Sequence, residues 1–174
     1  MATQYFKNFP LVFYNNVKLR NIMLKTNIIR EIFLNDTNFY TYEVRDGQKP
    51  TTVAFDYYGS VDYTWLVLMS NQIIDPYFDW ILSNEEFDSH IIKKYGSIPV
   101  AQSTIVEYKD VLGNYVSLDT YNYYALISSS MVSNFTPVYA IDKEFELNEQ
   151  KRNIQLIDRV YSTKIASELE QSLA

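Results

Sequence analysis

Very few side chains in this sequence could do covalent or acid-base chemistry. His90 is the only histidine and there is no cysteine, so thiol nucleophiles, disulfides, thiolate metal sites and multi-histidine zinc centres lack the residues to build them. His90 falls in a stretch expected to be helical, near Glu86 and Lys94. A single imidazole without a nucleophile, a second base or a ligand beside it specifies no reaction, and its plainer reading is a structural or surface side chain. Glu85 and Glu86 could in principle share acid-base work across a cleft. Two adjacent carboxylates opening a helix are better explained by the partial positive charge at a helix N-terminus. Neither a GxxxxGK phosphate loop nor a GxGxxG fingerprint occurs, and four scattered glycines could hardly build one. No catalytic, cofactor-binding or metal-ligating residue is therefore assigned, and a non-enzymatic protein is expected.

What the chain holds in quantity is aromatic surface. Its 174 residues include 16 Tyr, 10 Phe and 2 Trp, with 47% hydrophobic and 21% charged residues. That is enough apolar material for one substantial core, or for a small domain with extensions, and too short a chain for two large domains. Tyr57, Tyr58, Trp65, Tyr77, Phe78 and Trp80 could stack on sugar rings if exposed, or fill a core if not. No apolar run approaches the roughly 20 residues that span a bilayer. The start, Met1 to Lys7, lacks the basic and apolar pattern of a secretory signal. No membrane partner is expected, and the chain should begin life in the cytoplasm.

The net charge of −6 disfavours nucleic acid as a partner, since neutralising phosphates needs clustered Lys and Arg. The charge is uneven. The first 30 residues carry Lys7, Lys18, Arg20, Lys25 and Arg30 and no acid. These five charges are spaced too widely, among Phe6, Phe9, Leu11, Phe13, Ile22 and Ile28, to form a compact basic patch. An arm of this kind either docks on another protein or folds back on the chain's own acidic body.

The elements that would position these groups follow from pattern and punctuation. Thr41 to Val44 reads as a strand ended by a turn at Asp46-Gly47. Pro50 suits the first position of a helix that Gly59 stops. Asp62 can cap a second helix through Trp65, Leu68, Met69 and Ile73, ended near Asn71 and Asp75-Pro76. Phe78 to Leu82 could pair as the second strand. Ser83 and Glu86 form a capping box, so a third helix should run to Tyr95 with Gly96 closing it. Ser103 to Tyr108, Tyr115 to Leu118, Tyr123 to Ile127 and Val138 to Ile141 read as strands of a small antiparallel sheet. In the tail Ile154, Leu156 and Val160 alternate as in a strand, while Ile154, Ile157 and Tyr161 also suit a helix. Ile165, Leu169 and Leu173 then favour a final helix.

The run Tyr40-Thr-Tyr-Glu-Val-Arg-Asp-Gly-Gln-Lys-Pro50, followed by Val53-Ala54, Tyr58-Gly59, Tyr63-Thr64-Trp65, Asn71 and Asp75-Pro76, resembles a LysM-type module of strand, helix, helix and strand. This run also resembles, more narrowly, the LysM-like baseplate wedge proteins of contractile-tailed, T-even-type bacteriophages. That narrower resemblance adds Asp79-Trp80, Tyr95-Gly96 and Glu146-Leu-Asn-Glu-Gln-Lys-Arg152, and at the N-terminus Tyr5-Phe6-Lys-Asn-Phe-Pro10 and Asn21-Ile-Met23. Residues 97–140 contribute little to it, and Ile81 stands where family members commonly carry a proline after the tryptophan.

The resemblance implies an α+β protein. Taken with the patterns above, its parts would be an extended N-terminal arm over 1–39, a small LysM-like β-α-α-β core with a third helix over 40–96, a β-rich region over 97–147 that rests on the strand patterns and not on the resemblance, and a C-terminal strand or helix tail over 148–174. Asp46, Gly47, Pro50, Tyr58, Gly59, Trp65, Asn71, Asp75, Pro76 and Trp80 would carry the module's fold. Phe6, Phe9, Pro10, Arg20 and Arg30 of the arm, with Glu149, Lys151 and Arg152 of the tail, are candidate partner-binding residues. The last three can equally be read as a solvated charged segment. The family implies a virion component of the tail baseplate, assembled in the host cytoplasm. It would bind other baseplate wedge proteins and the neighbouring wedge, and help join wedges into the six-fold ring, with no cofactor. The alternative from another class is a LysM-type module binding N-acetylglucosamine polymers such as peptidoglycan; a tail-associated glycan hydrolase lacks a catalytic constellation.

Overall fold

The computed structural model describes Lys7, residues 9–23 and residues 38–173. In chain order the elements are β1 (Leu11–Tyr14), β2 (Val17–Arg20), β3 (Phe39–Glu43), α1 (Pro50–Tyr58), a 3-10 turn (Val61–Tyr63), α2 (Thr64–Ser70), α3 (Pro76–Asp79) and α4 (Asn84–Tyr95). There follow α5 (Ile98–Ser103), β4 (Ile105–Lys109), β5 (Tyr115–Ser117), α6 (Leu118–Ile127), α7 (Ser129–Val132), β6 (Thr136–Tyr139), α8 (Ala140–Glu149), β7 (Asn153–Ile157) and α9 (Arg159–Leu173). The fold is α+β, as expected. The chain forms two compact units: one contains the residues up to Ile81 together with those from Lys151 onward, and the other, Leu82–Gln150, is inserted between them. This division cuts across the four segments drawn from sequence, because the segment after Gln150 returns to pair with β3.

In the first unit, β3 pairs antiparallel with β7, from Phe39 opposite Ile157 to Glu43 opposite Asn153. Phe78 to Leu82 does not supply the second strand. Asp75 accepts from the Tyr77 N–H and Pro76 takes the first helical position, so Phe78 and Asp79 fall in α3 and the chain from Trp80 to Leu82 joins no sheet among the described residues. A proline with a cap before it starts a helix more readily than it joins a ladder, where its missing N–H would break a bond. In β7, Ile154 and Leu156 alternate inward and Ile157 is also buried. With Val44, Val53, Ala54, Leu66, Val67 and Trp80 they form one buried cluster; each large aliphatic side chain fully buried there contributes on the order of 2 kcal/mol. The tail is thus a strand and then a helix in succession. At the start of the second helical stretch, Ser60 and not Asp62 caps: its hydroxyl accepts from the Asp62 N–H, opening the 3-10 turn that leads into α2.

β1 and β2 form a two-stranded hairpin, from Leu11 opposite Arg20 to Tyr14 opposite Val17. Asn15 and Asn16 turn it with φ of 46° and 59°, the pair of positive φ angles that matches the twist of flanking strands in a two-residue turn. The described part of the arm is therefore a hairpin and not an extended segment.

In the second unit the sheet order is β5-β4-β6, with β4 antiparallel to both neighbours. Pro137 lies on the edge strand β6, where a residue without an N–H is tolerated. Tyr123 to Ile127 belongs to helix α6 and not to a strand. The Ser117 hydroxyl accepts from the Thr120 N–H and Asp119 lies in the first turn, and this local start signal overrides the β preference of the tyrosines. Ser103 closes helix α5, so the strand expected there begins only at Ile105; the strand expected to reach Ile141 ends at Tyr139, where α8 begins. The region is accordingly mixed and not simply β-rich. Phe87, Ile91, Ala101 and Ala140 form its buried core. The Ser83/Glu86 capping box is present with both reciprocal bonds, at 3.3 Å and 3.0 Å.

Candidate assembly surfaces

All of the residues expected to carry the module's fold belong to the first unit. The Trp80 indole N–H donates to the Gln48 carbonyl at 2.8 Å, and Tyr58 donates to the Ile157 carbonyl at 2.8 Å. Burial pushes the Tyr58 hydroxyl well above the ordinary phenol pKa, so it remains a donor at any ordinary pH. Gly47 and Gly59 have φ of 67° and 79°, in the left-handed region that favours glycine. Pro50 opens α1. Asp46 and Asp75 are exposed, Asp75 as a cap, and Pro76 follows it. Trp65 and Trp80 are buried, which removes both indoles from any sugar-stacking surface. Tyr77 and Phe78 stay exposed.

One wall of the first unit is a groove of about 580 Å³ lined by Tyr40, Tyr42, Arg45, Asp56, Tyr57 and Arg159. Its rigidity comes from Gln48, which is buried and was not singled out from sequence. The Gln48 side chain accepts from the Arg45 N–H at 3.1 Å and donates to Asp56 at 3.0 Å and to the Tyr42 hydroxyl at 2.9 Å. Its main-chain N–H donates to the Arg45 carbonyl. On the other side Tyr40 and Tyr57 stack 5.8 Å apart, and the Arg159 guanidinium lies 4.5 Å from the Tyr57 ring centre. Partial burial and the Asp158 carboxylate raise the Tyr57 pKa against the opposing pull of Arg159.

The hairpin is a different kind of surface. Every residue of β1 and β2 is exposed, including Leu11, Val12, Phe13, Val17 and Leu19, and Ile22 and Met23 just beyond are exposed as well. Of the candidate partner residues in the arm, Phe9 is buried in the first unit's core and Pro10 is half-buried. Arg20 is exposed and donates to the Lys7 carbonyl and, at 3.2 Å, to that of Phe9. Phe6 and Arg30 lie outside the described residues, as do Lys25 and Ile28. In the tail, Lys151 donates to the Phe78 carbonyl at 2.5 Å and Arg152 to that of Val44 at 2.9 Å. Both side chains are therefore engaged within their own unit. Glu149 ends α8, half-buried, in the second unit.

The second unit carries one concentrated polar site. Glu144 accepts from Lys94 at 2.6 Å and from the Tyr95 hydroxyl at 3.0 Å, and lies 3.1 Å from His90 Nε2. His90 therefore has a carboxylate partner, on a helix the sequence pattern did not bring near it. The same unit exposes apolar side chains at Val111, Leu112, Leu118, Tyr123, Leu126, Ile127 and Met131. Among the described residues, no group of three or more metal-ligating side chains is assembled, and no helix is long and apolar enough to cross a membrane.

A protein similar in part is the baseplate wedge protein gp53 of Enterobacteria phage T4, 34% identical over 58 residues. The matched stretch covers 33% of this chain and 30% of that protein. The sequence pattern of the phage base plate wedge protein 53 family matches residues 4–134, which takes in the hairpin, the β3-α1-α2 segment and most of the inserted unit; the chain belongs to the base plate wedge protein 53 family.

Proposed function

We propose that this chain is a non-enzymatic structural subunit of a phage tail baseplate wedge, binding other wedge subunits and the neighbouring wedge and so helping to join wedges into the six-fold ring. The observation that carries this reading is the β1-β2 hairpin, exposed along both strands. A two-stranded hairpin is marginal by itself in water, and a contiguous exposed apolar surface on an element with open edges marks a protein interface. The β3-α1-α2-β7 arrangement supports a LysM-like core used as scaffold, with the second strand delivered after the inserted unit. The protein would act in the virion, after assembly in the host cytoplasm, with no membrane or nucleic acid partner.

Native mass spectrometry of the full chain mixed with the other wedge subunits of its phage tests this. The wild-type chain enters defined complexes, and a Phe13→Asp, Leu19→Asp variant with the same fold enters them at least tenfold more weakly. A wild-type chain that joins no complex removes the baseplate reading; a double variant that joins as well as wild type removes the hairpin from it.

A second reading is favoured by the exposed Tyr77 and Phe78 rings beside the Asp75 cap: glycan binding of the LysM type. Adding a chito-oligosaccharide to the same mixture decides it, since sugar adducts without protein complexes would make that loop the working site.

A further inference from the structure

We propose that the groove between Tyr40, Tyr42, Arg45, Asp56, Tyr57 and Arg159 is a docking site for an acidic peptide segment of another baseplate protein, whose carboxylate is taken by Arg45 and Arg159. The proposal rests on the baseplate reading and adds the chemistry of one partner to it. Two features of this groove bear on what it could hold. It is prearranged: Gln48 pins the Arg45 main chain, Tyr42 and Asp56 at once, and the Tyr40-Tyr57 stack carries the Arg159 guanidinium on its face. A binding partner then orders little on arrival, which is where affinity is otherwise lost. It is also electrostatically incomplete. Among the described residues, neither Arg45 nor Arg159 makes an ion pair, in a chain whose 21 acidic residues outnumber its 15 basic ones.

The volume of about 580 Å³ admits a few side chains of an extended segment. Guanidinium groups bind carboxylates through parallel N–H bonds, and the tyrosine faces can cover the aliphatic stem of a glutamate. Asp56 on the same wall selects against phosphate polymers, because it places a negative charge where a closely spaced polyanion would run, and it leaves an acceptor for an N–H of the incoming chain. The net charge of −6 points the same way, away from nucleic acid.

The test measures binding of the full chain to the other wedge subunits at low and high salt, for wild type, Arg45→Gln and Arg45→Glu. Arg45 is exposed, so neither change should shift the thermal midpoint. Arg45→Glu is expected to weaken binding at least tenfold and Arg45→Gln less, with the differences shrinking as salt rises. Poly-L-glutamate should displace the partner from wild type, while a single-stranded oligonucleotide should not. Equal affinity of wild type and Arg45→Glu overturns the groove proposal and leaves the baseplate reading intact. A wild-type chain that binds no wedge subunit overturns both. Displacement by the oligonucleotide and not by poly-L-glutamate assigns the groove to phosphates and also overturns it.

Discussion

The side-chain amide of Asn71 pairs with the main chain of Gln155, 84 positions further along: its nitrogen donates to the Gln155 carbonyl at 2.9 Å and its oxygen accepts from the Gln155 N–H at 2.8 Å. Ser70 adds a third bond to the same carbonyl at 2.8 Å. The end of α2 is thereby fixed to the middle of β7, and the returning strand is held both by its ladder to β3 and by this clamp. A second asparagine repeats the device in the inserted unit: Asn148 bonds both the N–H and the carbonyl of Leu82, at 2.8 and 3.1 Å, tying the unit's entry to its exit.

Replacing Asn71 with Ala should destabilise the first unit by about 1–2 kcal/mol, because both bonds to Gln155 are lost, together with those to the Val67 carbonyl and the Ser70 hydroxyl, and the Gln155 groups must find water. Hydrogen exchange at the Gln155 amide should accelerate by a matching factor of about 5–30. An unchanged exchange rate there would show that the clamp adds nothing to the β3-β7 ladder.

Both tryptophans lie in the first unit, so their fluorescence follows that unit's unfolding. Trp80→Phe removes the bond to the Gln48 carbonyl and leaves a void in the core, and should cost about 1–3 kcal/mol. Because Gln48 also shapes the groove, this variant should weaken poly-L-glutamate binding. Retained affinity in a folded variant would separate the groove from its support.

Ser83→Ala removes the acceptor for the Glu86 N–H and half of the capping box, a loss of about 1 kcal/mol for α4. Its effect belongs to the second unit. Circular dichroism should register it while the tryptophan-monitored transition stays where it was.

Glu144 gives the second unit a pH dependence. Burial alone would raise its pKa, but the hydrogen bonds from Lys94, His90 and Tyr95 outweigh burial and hold it below the ordinary carboxylate value. A carboxylate with a depressed folded pKa contributes stability that is complete above its unfolded pKa of about 4.3 and is lost as pH falls through the folded value. The wild-type second unit should thus lose stability on acidification below about pH 5, and Glu144→Gln should flatten that slope. Identical slopes in the two proteins would count against the network.

Several local signals are legible in this sequence because their cause lies within a few residues, although two equally local caps, Ser60 in place of Asp62 and Ser117 before Tyr123 to Ile127, are not. The Pro50 start, the Gly59 stop, the Ser83/Glu86 box and the turn at Asp46-Gly47 all act within a few residues, so composition and spacing were enough for them. The family resemblance was legible for a related reason, since its motif residues lie mostly in those same stretches. Two things were decided only in three dimensions. The partner of β3 is β7 and not the nearby Phe78 to Leu82, because pairing depends on which apolar face fits α1 and α2, and distance along the chain does not reveal it. Phe9, Lys151 and Arg152 turned inward to core and backbone partners, while the groove around Gln48 brings Arg159, at the start of α9, beside residues of β3 and α1 that lie more than a hundred positions earlier. Sequence by itself determined the locally punctuated elements and the family; the tertiary structure decided strand pairing and which side chains stay exposed, since exposure is a property of packing between distant segments and not of any one of them.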